Sequence, residues 1–195
     1  MFRLLTCLLG LSALADASSA PDTLLSREAA IGPGVPEAVA RTLDVREVRY
    51  LGFDGQHHRG QIVCAKSRCQ DLSDLFDTLE KSGFPLRSVV PVAAFGGSDS
   101  LSMDQDNTSC FAWRGMWGSQ IPSNHQKGLA LDLNPRENPA FHKGHAVPAG
   151  TRHDSSAPGT LSDTSLAVRF LHHHGWHWGA HWHRVQDWQH FEAKP

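Results

Sequence analysis

The chain has 195 residues, a formal net charge of −2 and 19% charged residues. This length suffices for one domain with a core that does not depend on disulfides. The nearly neutral charge argues against a nucleic-acid partner, which usually requires a basic surface.

The N-terminus has the pattern of an export signal. Residues 1–3 form a short positive start, residues 4–14 are mostly apolar, and small residues at 15–20 offer cleavage positions. The apolar run is too short to span a bilayer. We predict a signal peptide at 1–20 and a secreted or periplasmic protein without stable membrane insertion after cleavage. A buried N-terminal helix is the alternative.

Export would allow disulfide bonds among the cysteines that remain. These are Cys64, Cys69 and Cys110, so one disulfide would leave one thiol over. Cys64 and Cys69 are the closest pair in sequence, but sequence does not fix the pairing. No pair has CxxC spacing, so a cysteine zinc site is not expected.

Residues 21–35 are rich in proline and glycine and are predicted to be a linker with little structure. The folded domain is predicted at 36–195 and opens with a short helix at Pro36-Glu37. Next come two hairpin strands at 45–53 and 59–65, because Asp54-Gly55 between them favours a turn.

An amphipathic helix is predicted at 71–81, followed by a strand at 86–92. Residues 93–107 and 134–163 are predicted as long polar loops, and 165–171 as a helix. Because strands and helices do not alternate regularly, we expect an α+β fold with a mostly antiparallel sheet and flanking helices.

A candidate metal ligand lies in the segment 123–135. Leucines at 129, 131 and 133 alternate with Ala130 and Asp132, which predicts a strand with one apolar face. A carboxylate on a rigid strand, beside the space that an alanine leaves, suits a metal ligand. His125 precedes Gly128, whose conformational freedom lets the chain bend and direct the imidazole back toward the strand.

The C-terminal motif supplies the remaining parts of a catalytic metal site. His190 is predicted as the third ligand, with His125 and Asp132, which leaves one zinc position open. Asp187 lies three residues earlier, near the metal but not on it, where a general base for water belongs. Glu192 is predicted either to orient an imidazole or to form a surface ion pair.

Aromatic and histidine residues crowd the C-terminal region. All six tryptophans lie at or after Trp113, which suggests the walls of a pocket; an aromatic core is the alternative. The histidines at 172–174 are predicted to be a solvated helix end, since three consecutive helical residues cannot all reach one ion. Loose metal binding is the alternative.

The order of these motifs resembles a known family. The residues that carry the resemblance are Ser123-x-His125-x-x-Gly128-x-Ala130-x-Asp132 and Asp187-x-x-His190-Phe191-Glu192. They resemble the zinc D-Ala-D-Ala carboxypeptidase family, which includes the D-Ala-D-Ala dipeptidases and the L-alanyl-D-glutamate endopeptidases of phage endolysins. The resemblance covers residues 36–195 and is closest to the endolysin-like branch.

The resemblance implies a single domain of the Hedgehog/DD-peptidase type with one zinc ion on the three ligands named above. It implies Asp187 as catalytic acid/base and Arg114 as the cation that stabilises the polarised carbonyl. From the residues alone, Arg114 could be a surface arginine or a partner of Asp104 or Asp106. Ser123, Arg114 and Trp178 are expected to bind substrate.

The expected function is zinc-dependent hydrolysis of an amide bond in a peptidoglycan stem peptide, either D-Ala-D-Ala or L-Ala-D-Glu. Two departures from the family, Gln126-Lys127 and Ala180, bear on substrate more than on chemistry. The alternatives are a non-catalytic, zinc-containing Hedgehog-type binding module and a histidine-rich periplasmic metal-binding protein.

Overall fold

A computed structural model describes residues 24–114 and 121–194. The helices are α1 (Arg27–Ile31), α2 (Glu37–Ala40), α3 (Cys69–Ser82), α4 (Asp99–Asp104) and α5 (Leu166–His173). The strands are β1 (Leu43–Gly52), β2 (His57–Ala65), β3 (Pro85–Leu86), β4 (Ala130–Asp132), β5 (Ala140–His142), β6 (His145–Val147), β7 (Trp176–Trp178), β8 (Val185–Asp187) and β9 (His190–Ala193). They form three-stranded sheets in the orders β2-β1-β3, β4-β9-β7 and β6-β5-β8. The expected α+β class with mostly antiparallel pairing is confirmed.

The long hairpin and the helix after it form the base of the fold. β1 and β2 pair antiparallel from Leu43 opposite Ala65 to Leu51 opposite His57, as predicted. α3 buries Leu72, Leu75, Phe76 and Leu79 against the core, and each such side chain contributes about 1.5–3 kcal/mol of burial free energy. The same core includes residues of β4, β7 and β9, so these short strands pack against the hairpin and α3.

The predicted linker at 21–35 is wrong for its described part, residues 24–35. α1 lies there, and its Ala30 and Ile31 are buried in a cluster with Leu43 of β1. The Gln61 side chain bonds both the backbone N–H and the carbonyl of Leu25. The two glycines and two prolines at 32–36 turn the chain back onto the hairpin instead of leaving it extended. The predicted signal peptide lies outside the described residues.

The predicted strand at 86–92 is mostly wrong, since β3 ends at Leu86. The side chain of Asn107 takes the place of a partner strand: Val90 N–H donates to its Oδ1 and its Nδ2 donates to Val90 O, both at 2.8 Å. The loop predicted at 93–107 contains a 3₁₀ turn, Val92–Phe95, and α4. Ser98 caps α4 by accepting a hydrogen bond from Leu101 N–H.

The polar stretch 134–163 is also more ordered than predicted. β5 pairs with β6 and, on its other side, with β8. Asn138 holds the rest of the stretch, because its Nδ2 donates to the carbonyls of Leu133 and Gly159 while its Oδ1 accepts from Leu161 N–H.

The cysteines and the last helix complete the fold. Cys64 and Cys69 form a disulfide, and Cys110 is a buried thiol. α5 matches the predicted helix, and His172 and His173 at its end are exposed, as expected of a solvated helix end. Within 24–114 and 121–194, no helix has the length and apolar character needed to cross a membrane.

Candidate metal centre

The pairing of β4 with β9 places two of the predicted ligands side by side. Asp132 and His190 are directly opposite each other in this antiparallel pair, so their side chains lie on the same face. His190 Nδ1 is 2.9 Å from Asp132 Oδ1. The two residues are distant in sequence, and the register of the last strand alone brings them together.

A 3₁₀ turn, Asn124–Lys127, carries the third predicted ligand. Ser123 begins the turn, and its hydroxyl accepts a hydrogen bond from His125 N–H at 3.2 Å. Gly128 ends it at φ +64, where a Cβ atom would lie 2.5 Å from the backbone nitrogen of Ala65. Only glycine allows this approach, so the turn is held against β2 and His125 is directed toward β4.

The three ligand atoms converge on one point. His125 Nδ1 donates to the carbonyl of Cys110 at 2.8 Å, which leaves the Nε2 lone pair free. This Nε2 lies 3.2 Å from His190 Nδ1 and 3.3 Å from Asp132 Oδ2. Ligand atoms bound tetrahedrally to zinc at its usual distances are about 3.3 Å apart. The buried His125, Asp132 and His190 therefore form a group that could bind a metal ion.

Glu192 lies beside the ligands, on the same strand as His190. Its Oε2 accepts a hydrogen bond from Asn124 Nδ2 at 2.8 Å and lies 3.7 Å from His190 Nε2. Of the two interpretations of Glu192, this position favours orientation of the His190 imidazole, because the ring presents its Nδ1 to the centre and its Nε2 to the carboxylate.

The charges around the ligands also suit a cation. Burial alone would raise the pKa of Asp132, but the His125 and His190 imidazoles outweigh it and hold that pKa far below its usual range. Burial alone would lower the pKa of His190, yet its hydrogen bonds to Asp132 and Glu192 raise it to about 10. The carboxylates of Asp132 and Glu192 thus stabilise a positive charge where the three ligands meet. A metal ion bound there would replace the proton on His190.

The ligands lie in the wall of a cavity of about 720 Å³, within the usual range for small-molecule sites. The structure brings six of the seven predicted site residues to this cavity: Arg114, Ser123, His125, Asp132, Asp187 and His190.

Asp187 ends β8, and the pairing of β8 with β5 fixes its backbone. Its side chain is buried, and its Oδ1 has no hydrogen-bond partner in the described part of the chain. Burial raises the pKa of Asp187 to about 6, and the Asp132 carboxylate adds to the effect while His190, His125 and Arg114 oppose it. A carboxyl group with this pKa can accept and release a proton near neutral pH.

Arg114 is held by an acid that the sequence did not single out. Its Nε donates to Asp99 Oδ2 at 2.6 Å, and a second guanidinium nitrogen lies 2.5 Å from the same oxygen. Neither Asp104 nor Asp106, the partners considered from sequence, takes this role. Asp99 stands at the start of α4 and lines the cavity. A serine directly before Asp99 is a frequent helix cap, and this signal in the sequence could have indicated the ordered segment that holds Asp99.

The prediction that Trp178 binds substrate does not fit its place in the fold. Trp178 is buried in the core, stacked on Phe191, and its Nε1 donates to the carbonyl of Trp188 at 2.8 Å. Trp182 lines the cavity instead, with its ring centroid 5.3 Å from that of His190. The aromatic-core alternative thus holds for Trp176 and Trp178, and the pocket wall belongs to Trp182.

The comparisons with known proteins agree with this site. A family model described as D-alanyl-D-alanine carboxypeptidase matches residues 111–193, the segment that holds the three ligands, Asp187 and Arg114. The match supports a peptidoglycan-related peptidase of the metallopeptidase type. It does not distinguish the endolysin-like branch. Searches of curated proteins and of solved structures gave no significant match.

Proposed function

We propose that the protein is a zinc metallopeptidase that hydrolyses an amide bond of a peptidoglycan stem peptide, of the D-Ala-D-Ala or the L-Ala-D-Glu type. The convergence of His125, Asp132 and His190 beside Asp187 in one cavity carries the proposal. The match to the carboxypeptidase model supports the substrate class.

One zinc ion per chain suits the donor set. Two imidazole nitrogens and one carboxylate oxygen are ligands that zinc prefers, whereas calcium and magnesium require more oxygen atoms. Three protein ligands leave a position open for water or substrate. When bound, zinc supplies Lewis acidity, which makes water a better nucleophile and polarises the scissile carbonyl.

Asp187 is the acid/base in this proposal. In its ionised form it takes a proton from the attacking water and then returns it to the leaving amine as the carbon–nitrogen bond breaks. Its burial supports this role, because it raises the pKa of Asp187 to about 6. With a pKa close to neutral pH, the same carboxyl group can accept a proton and later donate it. The unpartnered Oδ1 is an acceptor available for that proton.

Arg114 stabilises the negative charge that develops on the carbonyl oxygen, an effect worth about 3 kcal/mol in comparable sites. Asp99 fixes the guanidinium in place with two contacts. Ser123 has an O–H donor left after its oxygen accepts from His125 N–H, so this hydroxyl can bind a substrate acceptor.

We also infer that the mature protein is secreted or periplasmic. The sequence of residues 1–20 and the disulfide between Cys64 and Cys69 support export, since disulfides persist in oxidising compartments.

No specific observation favours the alternatives. Asp187 and Arg114 line one cavity, whereas a non-catalytic binding module would not require either residue. In the described part of the chain, the histidines at 172–174 contribute to no group of three potential metal ligands, which argues against a histidine-rich metal carrier.

Digestion of purified peptidoglycan tests the proposal. Mass spectrometry of the released fragments should show new amino termini at one bond of the stem peptide. A chelator should abolish the release, and added zinc should restore it. If the zinc-loaded protein releases no fragment, or if chelation leaves the release unchanged, the proposal is wrong.

A further inference from the structure

The cavity contains two arginines whose surroundings differ. Arg114 is partly buried and its guanidinium is held by Asp99 at 2.5 and 2.6 Å. Arg184 is exposed, lines the same cavity, and forms no ion pair or hydrogen bond within residues 24–114 and 121–194. Asp99 thus holds Arg114 in place for the oxyanion role proposed above, while the charge of Arg184, which no acid of the described residues pairs with, is available to a ligand.

The remaining charges of the cavity leave Arg184 as its uncompensated cation. Asp132 belongs to the ligand group, and Glu192 is bonded to Asn124 and close to His190. Asp187 lines the same cavity and is the proposed acid/base. A substrate with a carboxylate would therefore find its complementary charge at Arg184, because arginine binds carboxylates through paired N–H donors.

The position of Arg184 relates this charge to the scissile bond. The residue immediately precedes β8, whose last residue is Asp187. Three residues of extended chain span about 10 Å, and a long arginine side chain can shorten this distance. Because Arg184 and Asp187 both line the cavity, the guanidinium can reach a group about one substrate residue away from the bond at which Asp187 would act.

Both candidate bonds share one chemical feature at that distance. In D-Ala-D-Ala the leaving residue carries the free C-terminal carboxylate. In L-Ala-D-Glu, where the chain continues through the γ-carboxyl group of D-Glu, the leaving residue again carries a free α-carboxylate. An ordinary internal peptide bond has no such carboxylate, because that group is itself an amide.

We propose that Arg184 determines specificity by binding the free α-carboxylate of the leaving residue, so that the substrates are amides whose leaving amine carries such a carboxylate. This inference rests on the proposed peptidase function. It assigns to Arg184 a role in substrate recognition and no role in the chemical step.

Matched peptides test this role. One peptide ends in D-Ala-D-Ala and another contains L-Ala-D-Glu with the γ-linkage, and each is made with the leaving residue as free acid and as carboxamide. The zinc-loaded parent, Arg184→Ala and the control Arg169→Ala, which removes an exposed arginine of α5, are compared by kcat and KM. Arg184→Ala should raise KM for the free acid about ten- to a hundredfold and leave the carboxamide unchanged. Arg169→Ala should behave like the parent.

Equal effects of Arg184→Ala on acid and carboxamide, or no effect on either, would overturn the inference. Calorimetry of the same peptides separates this failure from failure of the proposed function. If the parent cleaves neither peptide, the proposed function fails for these bonds. Tighter binding of the acid than of the carboxamide, lost in Arg184→Ala, would still support the carboxylate site, and equal binding would refute it.

Discussion

Two buried carboxylates in this molecule have opposite surroundings. Asp132 lies between the imidazoles of His125 and His190, which hold its pKa far below the usual range despite burial. Asp106 is equally buried but faces a second acid, and burial together with Glu137 raises its pKa to about 8. The two acids lie near each other along the backbone, because the segment that follows Asp106 forms an isolated β-bridge from Ser109 to Asp132.

The difference shows what makes a buried acid a cation site. Burial acts on both carboxylates in the same direction, so the neighbours decide the outcome. Asp106 has a structural role: its Oδ1 accepts from Arg136 N–H at 2.8 Å, and Arg87 lies 3.7 Å away. Of these two acids, Asp132 is the one that has two imidazole nitrogens beside it. Asp187, with a pKa of about 6, is intermediate and suits proton transfer.

The largest expected effect concerns Asp187. Asp187→Ala should lower kcat by about 10²–10⁴-fold, because the proton acceptor is lost, while the bound metal stays on its three ligands. Metal content and turnover, measured on the same preparation, check this. The matched change His190→Ala should lose metal and activity together. If Asp187→Ala releases the metal, Asp187 is a ligand; if activity is unchanged, the base lies elsewhere, with Glu192 the next candidate.

Removal of the metal should also destabilise the fold. An ion on His125, Asp132 and His190 would join β4, β9 and the turn Asn124–Lys127, so its binding should stabilise the native state by about 2.7 kcal/mol at free zinc 100-fold above Kd. Calorimetric scans with and without chelator should show a lower Tm without metal. His190→Ala should show no shift on chelation, and an equal shift in parent and variant would contradict the site.

A smaller loss is expected when the anchor of Arg114 is removed. Asp99→Ala keeps the guanidinium but not its position, so kcat should fall about tenfold, since loosening a catalytic group costs rate. The matched control is Asp104→Ala, an exposed acid of the same helix, which should not change kcat. Equal turnover of parent and Asp99→Ala would contradict the role of Asp99 in positioning Arg114.

The smallest effect on activity is expected at Asp106, where the change concerns the pH dependence of stability. Its folded-state pKa of about 8 lies above the ordinary value of 3.8, so the folded chain keeps a proton that the unfolded chain releases. Stability is therefore lost as pH rises from about 4 to about 8. Asp106→Asn removes this loss, keeps an acceptor for Arg136 N–H and tolerates the φ of +59.

Asp106→Asn should raise the free energy of unfolding more at pH 8 than at pH 5, because a pKa of about 8 in place of 3.8 makes the parent lose stability between these two pH values. Urea unfolding at both pH values measures it, with metal content and activity unchanged. A variant destabilised equally at both pH values would show that the carboxylate itself, and not its proton, holds this part of the fold.

Local patterns predicted the elements that depend on local interactions. The hairpin β1-β2 and helix α3 have clear periodicity and turn residues, and both are confirmed. The three-residue strands β5 and β8 were missed because they are short and pair with each other although they lie far apart in sequence. The strand predicted at 86–92 failed because Asn107, a side chain, supplies the pairing.

At the site, too, local motifs could be predicted from the sequence, whereas packing between remote segments could not. The convergence of His125, Asp132 and His190 was predicted because these residues stand in a specific motif. Trp178 and Trp182 look alike in sequence, and only the packing of β7 on β9 shows that Trp178 faces the core. The pairing of Arg114 with Asp99 could not be predicted, because several acids precede Arg114 at similar distances.

The metal content of two matched variants tests the central claim most directly. Asp132→Asn and Asp106→Asn each replace one buried carboxyl group with its amide, and mass spectrometry of dialysed protein counts the bound ions. One zinc ion per chain is predicted in the parent and in Asp106→Asn, and none in Asp132→Asn. A parent without zinc, or an Asp132→Asn variant that keeps the ion as tightly as the parent does, would contradict the account.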